Sequence, residues 1–196
     1  MTDQQTVVVT GFGPFGSHTI NASWLAVQEL ARKGLGQGIN LVVDQLPVAY
    51  SEVKNIVPKL WNLRPKLVVH VGVSGIADRL TLEQLAHNDG YEREDIFNCV
   101  PDTKCCVDGA DHCLVSAIDM TKVQQCVNSS ACGVEAIVST DPGRFLCDFS
   151  YYLSLHVNQD CAAFIHVPDI NKPYTVEQLA EGLRVAILAM LQQLPS

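Results

Sequence analysis

No stretch of this 196-residue chain stays apolar for the roughly 18–20 residues that a bilayer-spanning helix needs, which excludes a helical membrane protein. Blocks of like charge, low-complexity tracts and internal repeats are also missing, so neither a disordered tail nor a solenoid is expected. Positive charge is scarce. With 13 Lys and Arg against 21 Asp and Glu the net charge is −8, which argues against nucleic acid or an anionic membrane as a partner. The run from Met1 to Gln5 lacks the basic, then apolar, signature of a secretion signal, and predicts a cytoplasmic protein. What the chain does have is apolar mass. At 47% hydrophobic and 17% charged it can bury a core without covalent staples, so the eight cysteines read as reduced thiols in one domain spanning 1–196.

Hydrophobic periodicity predicts alternating strands and helices. Thr6–Thr10 reads as a strand ending in the Gly11–Gly16 turn, and Asn21 as the N-cap of a helix carrying Trp24, Leu25, Val27 and Leu30 and ended by Gly34. A strand over Ile39–Leu46 and a helix over Ser51–Trp61 follow, with Pro58 expected to kink or shorten the helix. The continuous apolar run Leu67–Val73 suits a strand buried on both faces, whereas Ser74 to Ala117 reads as polar and irregular. Asp119 is placed to cap a short helix. Strands are expected over Val134–Ser139 and Ala162–Val167, with the Cys147 helix between them. Thr175 and Gln178 have capping-box spacing ahead of a last helix bearing Leu179, Leu183, Ile187, Met190 and Leu194. This order predicts an α/β fold with a mostly parallel sheet covered on both faces, its functional residues gathered at the carboxyl ends of strands.

Cys147 begins a helix after a strand and a turn. A thiol in a helix's first turn feels the partial positive charge of unpaired N–H groups, which favours the nucleophilic thiolate. Among the six histidines, His166 is the best-placed base, at the end of the strand that follows the Cys147 helix. His70 reads as a core residue, His18 and His112 lie in irregular segments, and His156 sits too far along the helix from the thiol. For a carboxylate to orient the imidazole, Glu83, Asp141, Asp148 and Asp169 all remain open. Gly11, Gly13 and Gly16 match the dinucleotide-binding spacing. However, Phe12, Pro14 and Phe15 obstruct an approaching pyrophosphate, and the acidic residue that this fingerprint requires is missing, so an aromatic pocket wall is the better reading. Cys99, Cys105, Cys106, His112 and Cys113 lack paired zinc-ligand spacing, and no His-Glu-x-x-His is present; no metal is expected.

Thr10-Gly-Phe-Gly-Pro-Phe-Gly16 with Asn21-Ala-Ser-Trp24, Val68-Val-His-Val-Gly-Val-Ser-Gly75, Asp141-Pro-Gly-Arg-Phe-Leu-Cys-Asp-Phe149 and Phe164-Ile-His-Val-Pro168 together resemble the pyroglutamyl-peptidase I family, in its animal type. The resemblance runs in order over nearly the whole chain. It implies a three-layer α/β/α sandwich around a mostly parallel, mixed sheet, and a cysteine peptidase that removes N-terminal pyroglutamyl residues without metal or organic cofactor. It further implies Cys147 as nucleophile, His166 as base and Glu83 as the acidic member. The lactam pocket falls to Phe12, Phe15, Phe145 and Leu146, while Arg93 is left without a role. The implied partners are peptides with an N-terminal pyroglutamate as substrates, and the protein is expected to be a monomer or weak homo-oligomer. Another thiol amidase on the same fold, or a non-catalytic small-ligand binder, are the competing readings.

Overall fold

The computed structural model describes residues 4–17 and 19–195, which leaves His18 outside the described residues. In chain order the elements are β1 (Gln5–Phe12), α1 (Ala22–Lys33), β2 (Ile39–Leu46), α2 (Tyr50–Trp61), β3 (Leu67–Val73), β4 (Leu80–Glu83), β5 (Leu85–His87), β6 (Cys113–Val115), α3 (Met120–Ser129), β7 (Ala136–Ser139), α4 (Leu146–Val157), β8 (Ala162–Val167) and α5 (Val176–Leu191). The main sheet has the order β2-β1-β3-β8-β4-β7, and β5 and β6 form a separate antiparallel pair. β1, β2, β3 and β8 are parallel. β4 joins β8 antiparallel and β7 runs with β4, so the sheet reverses direction once.

Side-chain alternation sorts the sheet into two faces, because successive residues of a strand point to opposite sides. Leu67, Val69 and Val71 of β3, Leu80 and Leu82 of β4, and Ala163, Ile165 and Val167 of β8 join one core with residues of α1, α3 and α5. Ala162 and Phe164 of β8 join the second core, with α2, α4 and the segment between β5 and β6. His166 shares the phase of Phe164, and Glu83 is out of phase with Leu82. Both therefore project to the α2/α4 face.

Local chemistry sets the helix ends. The Asn21 side chain accepts from Ser23 N–H and caps α1, and Gly34 closes it at φ 73°. Asp119 caps α3, while Thr175 and Gln178 form the full capping box of α5. Such caps contribute about 1 kcal/mol each. Two expectations need correction. Pro58 does not shorten α2, which continues to Trp61. The 74–117 stretch is not wholly irregular, since it supplies β4 to the main sheet and also β5 and β6. Its strands are only three or four residues long, too short to show a clear alternation.

Candidate active site

The site forms where α4 meets the sheet. His166 and Thr81 are register partners across the antiparallel β8–β4 pair, as are Phe164 and Glu83, so Glu83 is the diagonal same-face neighbour of His166. His166 Nδ1 donates to Glu83 Oε1 at 2.8 Å, with both side chains buried. This pairing is carried by the reversed strand. Glu83 is the last residue of β4 and projects from the face of the sheet, reaching the site from a strand that runs against β8.

Cys147 approaches from above. It occupies the first turn of α4, whose N-cap, Phe145, makes no side-chain capping bond, unlike those of α1, α3 and α5. Its thiol shares the cavity wall with the His166 imidazole and interacts with it electrostatically. Burial pulls the His166 imidazole down, but the charge on Cys147 and the Glu83 carboxylate outweigh it and raise the group to about 10. Room for the sulfur comes from Gly72, the β3 register partner of His166. A Cβ at Gly72 would lie 2.6 Å from Cys147 Sγ and 2.8 Å from Phe164 Cζ. Nothing in the strand's apolar pattern marks this glycine as a notch.

A cavity of about 790 Å³ opens beside these residues, and Phe12, Phe15, Phe145 and Leu146 line it together with Cys147, Glu83 and His166. The two loop phenylalanines are held by contacts of the loop itself. Gly11 packs so closely on α1 that a Cβ would fall 2.8 Å from Trp24 Cα. Phe12 N–H donates to Ser23 Oγ, Gly13 N–H donates to the Leu46 carbonyl, and the Asn21 amide donates to the Gly13 carbonyl. These donors are committed within the protein, which counts against the pyrophosphate reading of the glycine spacing. Phe145 packs edge-on to Tyr50 and tilted against Phe15, and the Arg93 guanidinium lies 4.2 Å above its ring centroid. Arg93 lines the cavity from the irregular 88–112 segment, where no sequence pattern announces it.

The other candidates separate cleanly. His70 lies between Thr10 Oγ1 and Ser154 Oγ, at 2.6 and 2.7 Å, and burial lowers it to about 3, as suits a neutral core histidine. His112 pairs with Asp89 at the surface, and His156 stacks on Tyr152 far along α4. Asp141 pairs with Arg144 and Asp169 with Lys172. Asp148 is buried against His87, a histidine whose short strand hides it from any periodic reading. All eight cysteines are free, and among the described residues no group of three or more His, Cys, Asp or Glu is arranged to hold a metal.

The arrangement has counterparts in known proteins. The family model for pyroglutamyl peptidase, peptidase family C15, matches residues 5–193. The chain is 47% identical to the Homo sapiens protein named pyroglutamyl-peptidase 1, over 97% of this chain and 92% of that protein. It is 48% identical to the Mus musculus protein of the same name, over 96% and 90%. A mutant pyrrolidone carboxyl peptidase from the hyperthermophile Pyrococcus furiosus superposes with a TM-score of 0.88 at 26% identity, covering 97% of this chain and all of that one. A thiol, an imidazole and a carboxylate lining one aromatic cavity, on this fold, thus accompany a match along almost the whole sequence: the chain belongs to the pyroglutamyl peptidase family.

Proposed function

We propose that this protein hydrolyses the peptide bond after an N-terminal pyroglutamyl residue, with Cys147 as nucleophile, His166 as proton carrier and Glu83 as the group that orients the imidazole. The observation that carries the assignment of roles is the His166–Glu83 hydrogen bond at the wall of the aromatic cavity that Cys147 also lines. The Cys147 thiolate attacks the pyroglutamyl carbonyl carbon, and the C=O electron pair moves onto oxygen. The uncapped first turn of α4 offers backbone N–H groups to that oxyanion. As the C–N bond breaks, the His166 imidazolium gives its proton to the departing amine, leaving a thioester. His166 then takes a proton from water, whose oxygen attacks the thioester carbonyl. The C–S bond breaks, pyroglutamate leaves, and thiolate and imidazolium are restored.

The walls suit the substrate. Pyroglutamate is a neutral cyclic amide, complementary to Phe12, Phe15, Phe145 and Leu146. The charged group stacked on those rings is the Arg93 guanidinium, which disfavours a free terminal ammonium. A thiol nucleophile among eight free cysteines suits a reducing compartment, which supports action in the cytoplasm, with the whole chain serving as one catalytic domain.

The test is turnover of a pyroglutamyl-coumarin amide beside the alanyl and prolyl amides. Only the first should be cleaved, and Cys147→Ala should fall to background with its fold intact. Normal turnover by Cys147→Ala would remove the thiol from the mechanism, and indifference between the three amides would remove the lactam pocket.

A further inference from the structure

Beneath the nucleophile turn lies a buried polar cluster that the reaction above does not use. Asp148 follows Cys147 directly, is fully buried and does not line the cavity. Its Oδ1 accepts from the His87 backbone N–H at 2.9 Å. Its Oδ2 lies 3.5 Å from both His87 Nδ1 and Arg144 Nη1, and neither Oδ2 nor His87 Nδ1 has a hydrogen-bond partner within ordinary distance. The Tyr91 hydroxyl, which donates to the His87 carbonyl, stands beside the same carboxylate. Three pieces of chain thus converge on one side chain: β5 with its exit to Tyr91, the 140–145 turn, and the start of α4.

We infer that Asp148 is a positioning residue for the nucleophile, tying the first turn of α4 to β5 through the His87 N–H and to the preceding turn through Arg144, so that Cys147 Sγ and the Phe145 wall keep a fixed direction. The inference rests on the role proposed for Cys147. Its physical basis is the cost of burying a carboxylate. An unpaired buried charge is strongly unfavourable, so a fully enclosed Asp persists where its partners hold the surrounding backbone in one arrangement. An acidic group in the first turn also suits the helix dipole. Gly90, at φ +89°, lets the chain pass closely over the Arg144 stem, 3.5 Å from where its Cβ would be, and closes the cluster from above. Burial raises the Asp148 carboxyl to about 7 against the lowering effect of the His87 N–H and Arg144, so the tie retains a titratable member near neutrality. The ionisable groups that face it are His87, Tyr91, Arg144, Asp141, Cys106 and Cys113. Tyr151 of α4 itself adds a further interaction.

The experiment compares Asp148→Ala with Asp148→Asn, which keeps an acceptor for the His87 N–H. Steady-state turnover of the pyroglutamyl-coumarin amide is measured beside site-resolved iodoacetamide labelling of every cysteine, read by mass spectrometry across pH 6–9. Asp148→Ala is expected to lower kcat at least tenfold with KM within threefold, and to slow Cys147 labelling by a similar factor while buried Cys106 stays protected. Asp148→Asn is expected to restore both quantities to within threefold. Unchanged kcat and Cys147 labelling in folded Asp148→Ala overturn the inference. So does a general rise in labelling that includes Cys106, because that reports loosening of the whole layer. If Asp148→Ala does not fold, Asp148→Ser, whose short hydroxyl cannot reach the His87 N–H, takes its place under the same criteria. Labelling of Cys147 needs no turnover, so a wild-type protein lacking pyroglutamyl hydrolysis would sink the proposed function while still leaving this test readable.

Discussion

At His166 the charge on the ring is decided by its neighbours, Cys147 and Glu83. His166 is almost fully enclosed, and an isolated imidazolium there would be disfavoured by desolvation. The sulfur and the Glu83 carboxylate reverse the balance and raise it to about 10, so the ring is protonated at neutral pH. Cys147→Ala removes the largest raising contribution but leaves burial in place. The His166 titration midpoint, followed by NMR of the imidazole, should therefore fall in this variant, with the ring losing its proton at lower pH than in the wild type. A midpoint unmoved by the substitution would mean that the thiol and imidazole are not coupled as the geometry indicates.

Among the elements, β3 carries the least conspicuous contribution. Its run of valines around His70 reads as an ordinary buried strand, yet Gly72 interrupts the face on which the sulfur rests. Glycine inside a regular element costs about 0.5–1 kcal/mol relative to alanine, so backbone preference alone would favour Gly72→Ala. Overpacking works against it, since a methyl group 2.6 Å from Cys147 Sγ and 2.8 Å from Phe164 Cζ must displace one or both, at about 1–3 kcal/mol. The second effect should win. Gly72→Ala is expected to lower thermal stability modestly and kcat by more than tenfold, measured by calorimetry and coumarin release. Wild-type activity in this variant would show that the sulfur does not need the notch. Much of this level was legible beforehand: the bounds of β2, β3 and β8 follow their apolar runs, and the Asn21, Asp119 and Thr175 caps stand where side-chain chemistry demands them. β4 was not legible, because four residues within a polar stretch carry too little pattern, and its register is decided by its neighbours.

Across the whole molecule, the two cores divide the labour. Among the described residues, the strand side chains buried under α1, α3 and α5 are apolar, whereas the α2/α4 face admits buried His70, Glu83 and His166 among its aromatics. The mechanism proposed for this second face runs through a reduced thiol. Iodoacetamide should abolish turnover in step with Cys147 modification, while a chelator such as EDTA should leave it unchanged. Loss of activity on chelation, restored by a divalent cation, would overturn the thiol-only mechanism. The other thiols differ in setting. Cys99 and Cys126 are exposed, and burial pushes the Cys106 thiol up.

Composition, apolar runs and turn residues were sufficient to establish an α/β chain, most of its element bounds, and a helix-start cysteine followed in sequence by a strand-end histidine. They depend on local periodicity and backbone chemistry, which are written residue by residue. The carboxylate is another matter. Glu83, Asp141, Asp148 and Asp169 are equivalent as sequence, and only the resemblance to a family preferred one of them. The antiparallel insertion of β4 beside β8 brings Glu83 to His166 and leaves Asp148 facing His87, because strand direction and register, which arise from packing of the whole sheet, decide which side chains share a face. The notch at Gly72 and the placement of Arg93 over Phe145 have the same origin: they are distances between segments far apart in the chain.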